Sequence, residues 1–346
     1  MVFGKLKHQI QSHYSVPILV SSGYFLFVLR SGSPAERKDF GESVRCTKYN
    51  ERTTLDKLRY DAVFRQWLVT VMTLIAFAAN SVLGRAALTL GPEGERWIDP
   101  LGFTVVRLLS GAALLAIFVG AARAKEGVTR WHGSWLASFA LVAYAVAFSW
   151  AYLSLSAGTG ALILFGLVQA TMYAWGIWKG ERPGWGEWLG LAIALGGLIV
   201  LTAPGLETPP TVGAFLMAVA GVAWGIYSLL GRGQSRPVLA TAGNFIRAVP
   251  WMVLFLPWLI AYGEFTPRGI SLGVISGALT SGIGYVLWYT ALKGLTATRA
   301  ALVQLSVPVI AAVGGVAFLD ESLSLRLVVA TGLVLGGIGL AIVRKS

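Results

Sequence analysis

One cysteine, Cys46, stands among 346 residues. A lone cysteine excludes an internal disulfide framework and any zinc site built on several thiolates. Histidine is nearly as scarce: His8, His13 and His132 are the three, and all fall outside the long apolar runs. That excludes paired haem ligands, a histidine metal site and a serine–histidine dyad within those runs. Charged residues make up 13% of the chain, against about 25% in ordinary soluble domains. No Gly-x-x-x-x-Gly-Lys-Ser/Thr stretch occurs, so the chain is not itself a P-loop pump. No Asp, Glu or Lys lies deep in an apolar run, which argues against an acidic proton relay, an intramembrane aspartyl protease and a retinal-type Schiff base. Thr280-Ser281-Gly282 offers a hydroxyl but no base to activate it. Neither an enzyme nor a bound cofactor or metal is expected.

What remains is apolar. Hydrophobic residues reach 55%, with 42 glycines in addition. Too little polar surface is left to cover a soluble fold, and disorder needs the opposite composition. A bilayer core of about 30 Å takes about 20 apolar residues of helix. Ten such runs follow residue 66, at 67–90, 99–121, 133–155, 159–178, 186–203, 211–230, 238–261, 270–292, 298–319 and 325–343. They are continuous rather than alternating, which favours helices over barrel strands. The expectation is an all-α integral membrane protein of ten transmembrane helices.

The first 66 residues carry 11 Lys and Arg and 6 Asp and Glu. Their apolar patch, Val16–Leu29, is short for a span and poorly placed for a signal peptide. A poorly ordered cytoplasmic tail is expected, although a start assigned too far upstream leaves the same pattern. The net charge of +12 admits either nucleic acid or a membrane as partner, and its distribution decides. With the N-terminus in the cytoplasm, Arg123, Lys125, Arg130, Lys179, Arg182, Arg232, Arg236, Lys293, Arg299, Arg344 and Lys345 fall on the cytoplasmic side. Only Arg96, Arg268 and Arg326 fall opposite. This positive-inside bias predicts a multi-pass protein of the cell membrane with both termini cytoplasmic, and no nucleic-acid partner. Trp67, Trp97, Trp131, Trp135, Trp178, Trp185, Trp188 and Trp258 lie near run ends, as an interfacial aromatic belt requires.

Residues 67–203 and 211–343 also resemble each other. Ser81-Val-Leu-Gly-Arg85 matches Ser228-Leu-Leu-Gly-Arg232, and Trp150-Ala-Tyr152 matches Leu287-Trp288-Tyr289. At a constant offset of 140, Arg107 matches Arg247, Gly180-Glu181 matches Asp320-Glu321, and Gly196-Gly197 matches Gly336-Gly337. Five spans per repeat is an odd number, so the second must enter the membrane from the opposite side. Two inverted repeats are the plan of many secondary transporters, with the substrate bound between them near the midplane.

At this point the chain resembles the drug/metabolite transporter superfamily, in its ten-helix EamA-like branch. The resemblance rests on Asn80-Ser-Val-Leu-Gly-Arg85, Asp99-Pro-Leu-Gly-Phe-Thr-Val-Val-Arg107, Ala223-Trp224-Gly-Ile-Tyr227, Trp288-Tyr289-Thr-Ala-Leu292 and Pro308 ahead of Glu321. It covers about 67–343. It implies a carrier of small organic solutes such as metabolites, amino-acid-like compounds or drugs, working by alternating access and often as an exporter, and it selects no substrate. One departure is that Val168 stands where Pro308 stands in the second repeat. A proline-loosened helix is therefore expected in span 9 and not in span 4.

Arg107 and Arg247 are the foremost candidates for substrate recognition. A guanidinium inside a span is costly unless it faces a cavity or partner, although both also lie close enough to span ends to snorkel. Asn80, Asn244 and Gln304 are polar at depth and suit either substrate contact or helix–helix hydrogen bonding. Tyr152, Trp224, Tyr227 and Tyr289 suit an aromatic pocket wall or packing. Glu181 and Glu321 are placed to cap helices, pair with loop arginines, or gate. The spacings Gly186-xxx-Gly190 and Gly332-xxx-Gly336 permit close packing of spans 5 and 10, including a homodimer. The alternative is a non-transporting membrane scaffold or receptor, which predicts a closed, greasy interface between the repeats.

Overall fold

The computed structural model describes residues 37–91, 94–126, 132–182, 184–202 and 209–343. The patch Val16–Leu29, together with Glu93, Arg130, Trp131, Glu207, Arg344 and Lys345, lies outside the described residues. Two units are distinguished, Met1–Phe64 and Arg65–Ser346. In the first, residues from Arg37 onward are helical, so this part of the expected tail has regular structure. The second holds everything that follows.

Among the described residues, ten helical stretches come in chain order. Helix α1 is Arg37–Leu88, α2 is Pro100–Glu126, α3 is Trp135–Ala151, α4 is Ala157–Trp178, α5 is Trp185–Thr202 and α6 is Thr211–Gly231. Helix α7 covers Pro237–Tyr262 and α8 covers Pro267–Gly294. Helix α9 comes as two pieces, Ala297–Gln304 and Val307–Leu319, and α10 is Leu325–Val343. Six are long and apolar enough to cross a membrane: Val63–Leu88 within α1, Pro100–Gly120 within α2, and α4, α6, α7 and α8. Shorter apolar helices occupy Trp135–Ala151, Trp185–Leu201, Val307–Leu319 and Leu325–Gly337. No strand occurs among the described residues.

The helices start and stop for local reasons. Ser134 and Ser156 cap α3 and α4, their hydroxyls accepting from the amides of Ala137 and Thr159. Asp99 caps α2, Oδ1 accepting from the amides of Leu101 and Gly102 at 3.0 Å each. Pro100, Pro237 and Pro267 open their helices, where a missing N–H costs nothing. Pro250 lies inside α7 and is followed by a tight turn at Val253–Phe255. Helix α4 runs unbroken past Val168, whereas α9 breaks directly ahead of Pro308, as the amide-free proline ring dictates.

Packing inverts the soluble pattern. Ile117, Phe215, Ile260 and Phe318 are exposed, while Asn80, Arg107, Gln169 and Gln304 are buried. Such a surface is stable against lipid and not against water. Helices α3 and α4 both pack on α6, α2 packs on α7 and α8, and α5 packs along α10. In that last pair Gly197 meets the Ala330 carbonyl and Gly337 meets the Gly190 carbonyl, while Gly332 and Gly336 face nothing within 4 Å.

Helix α8 departs from α geometry over Ser276–Ile283, a π-helical stretch of 8 residues. Gly277 within it lies against the Arg107 carbonyl and Ser110 Oγ, where a Cβ has no room. The wider turn, a feature frequent at functional sites, brings α8 onto α2 at the position of Arg107.

Candidate substrate site

Arg107 is fully buried. It projects from α2 and donates through Nε to Ser281 Oγ at 2.8 Å and through Nη2 to the hydroxyls of Tyr144 at 3.0 Å and Tyr285. Its guanidinium carbon lies 5.0 Å from the Tyr144 ring centre and 4.9 Å from that of Phe148. No carboxylate pairs with it among the described ion pairs, and Nη1 is buried without a hydrogen-bond partner. Neutral hydroxyls and ring faces therefore carry the cation. This solvates a guanidinium only in part.

Asn80 on α1 extends the cluster. Its Nδ2 donates to Tyr144 Oη at 3.1 Å, and its Oδ1 accepts from Ser276 Oγ at 2.7 Å and Thr280 Oγ1 at 3.1 Å. Side chains from α1, α2, α3 and α8 thus form one buried polar network. Beside it stands an aromatic wall. Trp224 of α6 lies 4.5 Å from Tyr285, 5.1 Å from Tyr144 and 5.2 Å from both Tyr227 and Phe77, centre to centre. Gln304, at the break in α9, accepts from Trp224 Nε1 at 3.0 Å. The wall and network enclose a cavity of about 10 Å³ between Phe77, Asn80, Tyr144, Phe165, Trp224 and Tyr285, room for roughly one water. Arg107 stands directly behind Tyr144, Phe148 and Tyr285.

Of the residues singled out from the sequence, Asn80, Arg107, Trp224, Tyr227 and Gln304 come together here. Asn244 and Tyr289 form a second cluster: Asn244 Oδ1 accepts from the Ser134 amide at 3.0 Å, and Nδ2 donates to Tyr289 Oη at 3.3 Å. Tyr289 in turn donates to the Tyr227 carbonyl at 3.2 Å, so Tyr227 links the two. Tyr152 reaches the cluster only through Phe148, ring centres 4.6 Å apart, and places its hydroxyl on the Ala157 carbonyl at 3.3 Å. Arg247 is not brought to Arg107. Its Nη1 donates to the carbonyls of His132 at 2.7 Å and Gly243 at 2.9 Å, and it is only partly buried. The loop carbonyl supplies the acceptor that Arg107 lacks.

Ser276, Thr280, Ser281 and Tyr285 are members of the network that the sequence reading did not select. Their signal was a hydroxyl stripe at spacings of four and five along one apolar run. Nothing in the sequence sets Tyr144, at the middle of its run, or Tyr285 apart from the other aromatics.

The described residues are helical without strands, hold six helices able to cross a bilayer and bury an arginine among hydroxyls, the makeup of a multi-pass membrane transporter. The EamA-like transporter family matches residues 211–343. An uncharacterized protein of Pseudomonas aeruginosa is 48% identical over 276 residues, covering 80% of this chain and 94% of that protein. An uncharacterized transporter of Bacillus subtilis is 27% identical over 246 residues, covering 68% and 80%. A probable terminal-alkyne amino-acid exporter of Streptantibioticus cattleyicolor is 26% identical over 265 residues, covering 72% and 84%. A crystal structure superposes with a TM-score of 0.57 at 21% identity, covering 79% of this chain and 99% of that one, which speaks for the fold alone. The chain belongs to the EamA-like transporter family of the drug/metabolite transporter superfamily. Members of that family are transporters and not enzymes.

Proposed function

We propose that the chain is a secondary transporter that exports small organic solutes bearing an anionic group, a carboxylate foremost. It works by alternating access between two inverted five-helix repeats, 67–203 and 211–343, in the cell membrane with both termini cytoplasmic. The single observation that carries this reading is Arg107, fully buried, without a carboxylate partner and with Nη1 unbonded. An incoming carboxylate supplies the missing acceptor and charge. Asn80, Tyr144, Ser281 and Tyr285 hold the guanidinium, and Trp224, Tyr227 and Gln304 shape the apolar side of the site. Asn244, Arg247 and Tyr289 line the route on one side of it and Tyr152 on the other. A cavity of about 10 Å³ is too small for a solute, so the site widens to admit one. The buried polar network runs against a scaffold with a greasy interface between repeats.

The test is flux into proteoliposomes across a panel of monocarboxylates, amino acids, organic cations and neutral solutes, with and without a pH gradient. Flux is expected for carboxylate-bearing members and not for cations. Absence of flux for every member, with folded protein in the vesicles, removes the reading.

A further inference from the structure

Two ion pairs tie residues 67–203 to residues 211–343, and they are reciprocal. Arg85 Nε lies 3.4 Å from Glu321 Oε1, and Arg232 Nη1 lies 3.8 Å from Glu181 Oε1. Arg85 and Arg232 are the matched arginines of the Ser-x-Leu-Gly-Arg stretches, and Glu181 and Glu321 are matched at the 140-residue offset. Each arginine therefore grips the other repeat's glutamate.

The two glutamates are seated alike. Gly180 and Asp320, the residues before them, both adopt left-handed backbone, at φ 87° and 52°. The Glu181 amide donates back to the Gly176 carbonyl at 2.9 Å, and the Glu321 amide to the Gly315 carbonyl at 3.2 Å. Each carboxylate folds over that same glycine, in space a Cβ would occupy. The pairs sit at opposite ends of the helices. At the Arg85 end, Glu321 also accepts from the Ala157 amide at 2.9 and 3.1 Å, and Arg85 donates to the Tyr152 carbonyl at 2.9 Å. There the loops are stitched too: the Glu264 amide reaches Asp99 Oδ2 at 3.3 Å and Thr266 Oγ1 reaches the Trp97 carbonyl at 2.7 Å. The Arg232 end is looser. Arg232 and Glu181 are each 30% exposed, against 22% and 15% for Arg85 and Glu321. Arg232 and Lys293 also border an open hollow of about 510 Å³.

We infer that Arg85–Glu321 and Arg232–Glu181 are a pair of alternating clasps, each closing one entrance to the Arg107 site. The inference rests on the alternating-access reading above. Both clasps are made in this structure, whose cavity is too small for a solute. Rocking that separates one pair leaves the other made, so the site opens to one face at a time.

The test needs no substrate. Cys46→Ser removes the native cysteine, and Leu164→Cys places a reporter on the cavity wall. A membrane-impermeant maleimide is applied to each face of the vesicle in turn. Glu321→Gln is expected to raise labelling from the Arg85 face about two- to five-fold, the scale of one partly exposed ion pair. Glu181→Gln is expected to raise it from the Arg232 face. Glu321→Asp, which keeps a carboxylate, is expected to label closer to the parent than Glu321→Gln does in a folded protein. Both variants opening the same face, or neither changing labelling, overturns the clasps. Carboxylate uptake by the parent is measured in parallel. A parent that transports while neither glutamate variant shifts the labelling sinks the clasps alone, whereas a parent with no flux sinks the transport reading.

Discussion

Arg107 on α2 donates from Nε to Ser281 Oγ at 2.8 Å, across 174 positions of chain. The contact depends on the π-helical stretch of α8, which turns Ser276, Thr280 and Ser281 toward α1 and α2 together. It holds the guanidinium by neutral groups and leaves its charge for a ligand.

Arg107→Gln removes the charge and keeps part of the hydrogen bonding. Uptake of carboxylate solutes is expected to fall by about ten- to a hundred-fold, the value of one charge-assisted bond in a buried site. Arg107→Lys recovers part of it, because a point charge cannot reproduce the fork made to Ser281, Tyr144 and Tyr285. Initial uptake rates in proteoliposomes check this, and unchanged uptake by Arg107→Gln removes the role.

Tyr285→Phe deletes one acceptor of Arg107 and keeps the ring against Trp224 at 4.5 Å. Half-saturation for a carboxylate solute is expected to shift by less than in Arg107→Gln, with the aromatic wall intact. Concentration-dependent uptake distinguishes this from Tyr285→Ala, which also removes the wall and is expected to lower folded yield.

Gly277→Val places side-chain atoms where the Arg107 carbonyl and Ser110 Oγ already stand. Overpacking of this kind costs about 1–3 kcal/mol. The thermal transition in detergent is expected to drop and α2 to part from α8. A variant as stable as the parent refutes the close approach.

Asp99→Ala removes the cap of α2 and its link to the Glu264 amide. Loss of such a cap costs about 1 kcal/mol. Thermal unfolding should register a lower midpoint, with Asp99→Asn closer to the parent because its amide oxygen still accepts.

Glu321 lies beyond the end of α9. Burial, opposed by the Ala157 amide and by Arg85, holds its carboxyl above the usual carboxylate range. Arg85 and Tyr152 are the charged and titratable groups that face it. A raised acid binds its proton more tightly here than when exposed.

Much of the chain's helical layout was legible without coordinates. The six long apolar helices fall on the runs at 67–90, 99–121, 159–178, 211–230, 238–261 and 270–292, because a bilayer demands unbroken apolar length and internally bonded backbone. Residues 37–66 read differently. Their polar composition suggested a tail, yet the described part continues α1 as helix, which composition alone does not forbid.

The sequence by itself determined that two arginines, Arg107 and Arg247, sit within apolar runs at matched positions, and that Arg85, Arg232, Glu181 and Glu321 flank them as a matched set. Only the tertiary structure separated the members of the first set and joined those of the second. Arg247 lies within reach of the free carbonyl of His132 and uses it, while Arg107 faces hydroxyls and rings only. The matched set pairs across the chain, Arg85 with Glu321 at a separation of 236 positions and Arg232 with Glu181 at 51. The physical reason is common to both outcomes. Hydrophobicity places a residue at the bilayer through its own neighbours in sequence, but the partner of a buried charge is chosen by helix packing and register, to which distant segments contribute equally.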